Sequence, residues 1–141
     1  MYGCPPAFRA ASSAISSGIS FPDFEATLAY ASRTKLYQLG GHDHPDYGLS
    51  CRQASGFGAM VSFKVDTHER ALAVLERVRL VLFAESLGGT ESLVTYPLVQ
   101  THGSIPGPML DKLGIDERLL RLSVGLENAE DLIADLEQAI G

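Results

Sequence analysis

Runs that alternate apolar and polar residues interleave, along most of this chain, with runs whose apolar residues recur every three to four positions. That interleaving constrains the fold more than any other feature. Gly58 to Val65 alternates as a strand, with Met60 and Ser62 facing away from Val61, Phe63 and Val65. Glu91 to Tyr96, stopped by Pro97, and Leu119 to Leu126 read as two more strands, and the apolar run Leu80 to Ala84 reads as a buried one. Between them, Asp66 or Thr67 starts a helix reaching to about Arg79, with Leu72, Leu75, Val78 and Arg79 along one stripe. Asn128 is a good N-cap for a last helix, with Glu130 and Asp131 in its first turn and Leu132, Leu136 and Ile140 on one face. Upstream, Phe24, Leu28 and Ala31 predict a helix from Phe21 to Leu36, a loop follows at Gly40 to Pro45, and Asp46 to Ala54 suits a short helix. Residues 101–117 read as a loop with one helical turn near Met109 to Leu113. Strands and helices in this order predict an α+β fold: a small, mainly antiparallel sheet with helices packed on one face.

Composition narrows the function classes. A length of 141 residues suits one domain, taken as 21–141, after a weakly ordered leader over 1–20. The formal charge of −6, with no basic cluster, gives no footprint for nucleic acid. No apolar run approaches the roughly 18–20 residues needed to span a bilayer. Cys4 and Cys51 are too few for a disulfide framework or a cysteine metal site. Free thiols in a reducing cytosol are the simple reading, so the expected location is cytoplasmic.

Arg121 is the first candidate for chemistry. It sits in an apolar strand, on one face with Leu119 and Ser123, where a guanidinium at a core margin requires a partner. An internal salt bridge and a bidentate ligand carboxylate both satisfy it, and the residues alone favour the salt bridge. Glu85-Ser86-Leu87-Gly88-Gly89 is a second candidate, a tight turn whose exposed backbone and serine hydroxyl suit an anionic ligand. His42, Asp43, His44 and Asp46 invite a metal reading, but their spacing matches no familiar ligand set, and none is assigned. His102 reads as a surface or capping histidine.

Several of these motifs, in order, resemble one family. Ala84-Glu85-Ser86-Leu87-Gly88-Gly89, Thr101-His102-Gly103-Ser104 and Arg121-Leu122-Ser123-Val124-Gly125 are similar to the C-terminal domain of the Cys/Met-metabolism (transsulfuration) enzymes that use pyridoxal 5'-phosphate. Cystathionine γ-synthase and γ-lyase are the nearest types. The stretch from Gly40 to Pro45, with Arg52-Gln53 and Gly56-Phe57-Gly58, resembles a further segment of that domain and offers a non-metal explanation for His44-Pro45. Gly103 departs from the family's usual alanine.

The resemblance implies the small domain of a fold-type I transferase. It implies that Arg121 grips the substrate's α-carboxylate, and that Ser86 lies beside the cofactor and helps hold that carboxylate. It further implies that Glu85 contacts the distal end of the substrate and that Thr101 lines the pocket, with His102 a weaker carry-over. Ser32-Arg33-Thr34-Lys35 fits the family's lysine pattern, yet only 20 residues separate Lys35 from Gly56, against a long stretch in the family. The match is read as accidental, an internal deletion being the alternative. The expectation is therefore a substrate-binding domain that is not active alone, working with a companion chain that carries the cofactor half, and assembling as a homo-oligomer. The alternatives are a non-catalytic remnant acting as a binding module, or part of a methionine γ-lyase or homoserine sulfhydrylase.

Overall fold

The computed structural model describes residues 35–37, 44–54 and 58–141. Its strands are β1 (Lys35–Tyr37), β2 (Met60–Lys64), β3 (Leu82–Phe83), β4 (Leu93–Thr95) and β5 (Leu119–Ser123). Its helices are α1 (Tyr47–Gln53), α2 (His68–Arg77), α3 (Gly107–Leu113) and α4 (Ala129–Ile140). The strands form one sheet in the order β1-β2-β5-β4-β3. Pairing is antiparallel except between β3 and β4, which run parallel. The expected α+β class with a mainly antiparallel sheet is what the chain forms.

Alternation builds the core. Val61 and Phe63 of β2, Val94 of β4, and Leu120 and Leu122 of β5 are wholly buried on one sheet face. Against that face lie Ala71 and Val74 of α2 and Leu132, Leu136 and Ala139 of α4, in one continuous cluster. Both helices start as the sequence suggests. The Thr67 hydroxyl accepts from the Arg70 N–H, and Asn128 Oδ1 accepts from the Glu130 N–H at 2.8 Å.

Asp135, on α4, joins the layers. Its carboxylate accepts from the backbone N–H groups of Arg79, Leu80 and Val81, the last at 2.9 Å, where the chain leaves α2. Burial pushes this carboxyl up, but those three N–H groups and Gln138 outweigh it and hold the acid below the usual carboxylate range.

Four expectations change. Lys35 and Leu36 belong to a strand, not to the end of a helix, because pairing with β2 overrides a local pattern that fits both states. The stripe of α2 that packs inward is Ala71 and Val74, with Leu75 and Val78 beside it; Leu72 is 40% exposed and Arg79 lies beyond the helix. The expected buried strand at Leu80 to Ala84 shrinks to the two residues of β3, at the sheet edge, and Leu82 and Phe83 are about half exposed. The strand expected to run to Leu126 stops at Ser123. The expected leader over 1–20, most of the helix predicted from Phe21, and His42, Asp43, Gly56 and Phe57 lie outside the described residues.

Candidate functional site

Arg121 stands at the centre of β5, and alternation sends it to the face opposite α2 and α4. Its register partners are Ser62 on β2 and Thr95 on β4. Only one hydrogen bond holds its guanidinium among the described residues, from Nη2 to Thr95 Oγ1 at 3.3 Å. Its Nε–H is buried and has no acceptor there. The internal salt bridge that the residues alone favoured does not form among the described residues. A buried donor without a partner costs roughly 1–3 kcal/mol. Nε and Nη2 share one edge of the fork, and both oxygens of a single carboxylate fit that edge.

Thr95 and Ser123 lie on the same face as Arg121 by alternation, yet they are only 1% and 2% exposed. What reaches them is the segment after β3. Thr95 Oγ1 donates to the Ala84 carbonyl at 3.0 Å, and the Gly88 N–H donates to Ser123 Oγ at 2.9 Å. Gly88 has φ 74°, a left-handed turn that its lack of Cβ permits. Between these two ties Glu85, Ser86 and Leu87 form an exposed arch. Thr95 thus bonds both to Arg121 and to Ala84, the residue that leads into the arch.

Thr101 is exposed in the turn after β4, where its hydroxyl meets His102 Nδ1 at 2.6 Å; among the described residues no hydrogen bond ties it to Arg121 or Ser86. His44 Nδ1 accepts from the Asp46 N–H at 3.1 Å, a local bond in the turn before α1.

Glu127, six residues beyond Arg121, has a structural role. Glu127 Oε1 accepts from the Ser92 N–H and Oε2 from the Ser92 hydroxyl, each at 2.7 Å. The Ser92 hydroxyl oxygen in turn accepts from the Gly125 N–H at 2.8 Å. A Cβ at Gly125 would collide with the backbone of Thr90 and Glu91, so this crossing needs glycine. Burial pushes the Glu127 carboxyl up, but the two Ser92 hydrogen bonds outweigh it and leave the carboxyl below its ordinary value. This lock fixes the end of β5 against the start of β4, and so fixes the strands that carry Arg121 and Thr95.

Sequence reasoning singled out Arg121, Glu85 and Ser86 and passed over Thr95, Ser92 and Glu127. Alternation sets Thr95 opposite Val94 within β4, but only the pairing of β4 with β5 puts it beside Arg121. The pairing of Ser92 with Glu127 spans 35 residues and has no local signature.

The chain is a two-layer α+β domain in which Arg121, on the sheet face away from the helices, keeps a guanidinium edge without an acceptor among the described residues. The chain matches the family described as Cys/Met metabolism PLP-dependent enzymes over residues 31–141, and it belongs to that family. It is 46% identical over 105 residues to a cystathionine gamma-lyase of Bacillus subtilis (strain 168), covering 74% of this chain and 28% of that protein. It is 40% identical over 107 residues to a cystathionine beta-lyase of Lactococcus lactis subsp. cremoris (strain MG1363), covering 76% and 28% respectively.

Among solved structures it is similar to the cystathionine gamma synthase of Xanthomonas oryzae pv. oryzae, seen in complex with aminoacrylate and cysteine. That likeness has a TM-score of 0.77 and 35% identity, over 95% of this chain and 33% of the other. The cystathionine gamma-lyase of Lactobacillus plantarum, complexed with L-serine, has a TM-score of 0.75 and 36% identity, over 94% of this chain and 33% of that one. This chain therefore spans about a third or less of the relatives it matches.

The family depends on pyridoxal phosphate, and that group needs an amine to anchor it. Lys64 Nζ is held by Asp116 Oδ2 at 2.8 Å, and Lys112 is exposed in the last turn of α3. Lys35 lies on β1 opposite Lys64, and β2 pairs Lys64 with Leu119, not with Arg121. Its backbone is two strand spacings, about 10 Å, from β5. The described residues thus leave one guanidinium edge without an acceptor but do not by themselves fit the cofactor.

Proposed function

We propose that this chain is the C-terminal, substrate-binding part of a pyridoxal-phosphate-dependent transsulfuration enzyme of the cystathionine γ-synthase or γ-lyase type. Arg121 binds the α-carboxylate of the amino-acid substrate, Ser86 assists it from the arch, Glu85 meets the distal end, and Thr101 lines the approach. The observation that carries this reading is the buried Arg121 Nε–H with no acceptor among the described residues, beside an Nη2 already steadied by Thr95. A charge kept at a core margin without a protein counterion is accounted for when the counterion is a ligand.

The chain needs a partner for chemistry. Bond-making at the substrate's carbons calls for the cofactor and a lysine that moves protons, and Lys35 on an edge strand is not that lysine. A companion chain carrying the larger, cofactor-holding part supplies both. Support comes from Leu82, Phe83 and Leu87, each at least half exposed within six residues of chain at the entry to the arch. The assembly is a cytoplasmic homo-oligomer of such units. No described helix is long and apolar enough to cross a membrane. The reading as a non-catalytic binding module differs only in lacking that companion.

The test is an absorbance scan of the purified chain with pyridoxal phosphate, before and after borohydride, with Lys35→Ala as control. This reading expects no borohydride-fixed band that depends on Lys35. A band lost in Lys35→Ala would overturn the dependence on a partner and make the chain self-sufficient.

A further inference from the structure

We infer that Thr95 and Ser123 are positioning residues: two buried hydroxyls that set the Glu85–Ser86–Leu87 arch over Arg121, so that the carboxylate clamp and the specificity loop form one unit. This deepens the carboxylate reading of Arg121 and rests on it. Thr95 is the cross-strand partner of Arg121 and Ser123 lies two residues beyond it, so their side chains flank the guanidinium on the same sheet face. Each hydroxyl holds one end of the arch: Thr95 donates to the Ala84 carbonyl, and Ser123 accepts from the Gly88 N–H. The Thr95 oxygen also accepts from Arg121 Nη2.

One hydroxyl proton and one lone pair therefore tie the loop to the arginine. Valine at position 95 keeps the shape and burial but removes both bonds, leaving Nη2 and the Ala84 carbonyl without partners. Thr95 and Ser123 touch no ligand in this arrangement; they act through Arg121 and through the arch that presents Ser86. The residues between the ties are exposed, so nothing else among the hydrogen bonds of the described residues fixes the side chains of Glu85, Ser86 and Leu87.

The experiment is NMR on the full chain, comparing wild type with Thr95→Val, Thr95→Ser and Ser123→Ala, with thermal unfolding as the control for folding. Two readouts are followed: hydrogen exchange of the Gly88 amide with backbone order over 84–88, and the Arg121 Nε–H resonance during titration with acetate. Loss of its acceptor in Ser123→Ala speeds exchange of the Gly88 amide roughly five- to tenfold. Thr95→Val loosens residues 85–87 and shifts the Arg121 Nε–H, and Thr95→Ser restores both, which a purely packing role would not produce. Unchanged loop order in Ser123→Ala and Thr95→Val, or no rescue by Thr95→Ser in a folded chain, would overturn the proposal. If acetate leaves Arg121 unmoved in the wild type, the carboxylate reading fails, while the two ties are still judged by loop order alone.

Discussion

Replacing Glu127 by alanine removes the acceptor for two donors at once. The Ser92 N–H and hydroxyl each lose a 2.7 Å bond to a carboxylate, and Ser92 is wholly buried. Hydrogen bonds to a charged group contribute about 1.5–3 kcal/mol each, and water re-entering around half-buried Glu127 recovers part of the loss; the net cost is roughly 2–4 kcal/mol. Glutamine is different. Its amide oxygen keeps the Ser92 N–H, and its NH2 faces a hydroxyl that can turn to accept, since the Gly125 N–H uses only one lone pair. Glu127→Gln therefore costs about 1 kcal/mol, the difference between a charged and a neutral acceptor.

The sign of the pH dependence follows from the lowered carboxyl. Its contribution is fully present above the unfolded value of about 4.3 and is lost as pH falls through the lower folded value. The gap between wild type and Glu127→Ala thus holds at pH 7 and narrows below about pH 4. Urea unfolding followed by circular dichroism and tyrosine fluorescence reads it, in a chain with five tyrosines and no tryptophan. An alanine variant within about 0.5 kcal/mol of wild type, or a glutamine variant as weak as alanine, would refute the reasoning.

Three further outcomes are expected. Asp135→Ala strips the acceptor from three backbone N–H groups and lowers stability by roughly 2–4 kcal/mol, with faster hydrogen exchange at Leu80 and Val81; unchanged exchange there would count against its role in joining the layers. Phe63→Ala, at a wholly buried site in the middle of β2, costs roughly 3–5 kcal/mol in the same urea assay, and a loss under 1 kcal/mol would mean the core packs elsewhere. Arg121→Met removes a buried donor without an acceptor, so unfolding experiments should find it neutral or more stable by roughly 0.5–2 kcal/mol; a marked loss would show that Arg121 is a structural residue.

The parts of this fold that repeat with a local period were legible in the sequence. The buried set Val61, Phe63, Leu120 and Leu122 follows strand alternation, and Leu132, Leu136 and Ile140 follow the helical repeat. The Asn128 cap depends on one side chain and the next turn, so it was legible too, while the start of α2 was narrowed to Asp66 or Thr67 and the structure takes Thr67. What escaped depends on pairing at long range. Lys35 is a strand residue because β2 lies beside it, and Leu82 and Phe83 are exposed because β3 ends the sheet; neither neighbourhood is written in the local pattern. The site divides the same way. Arg121 stood out as a charge in an apolar strand, and the arch stood out by its glycines. The hydroxyls that join them are ordinary strand residues until the register sets Thr95 opposite Arg121.

The most direct check of the substrate-binding role is a titration of the chain with L-serine, followed at the Arg121 Nε–H resonance. Ethanolamine, the same molecule without its carboxylate, runs in parallel, and Arg121→Met serves as the assignment control. If Arg121 is the carboxylate clamp, L-serine moves that resonance in a saturable way and ethanolamine does not. Equal responses to the two ligands, or none to either in a folded chain, would contradict the role assigned to Arg121.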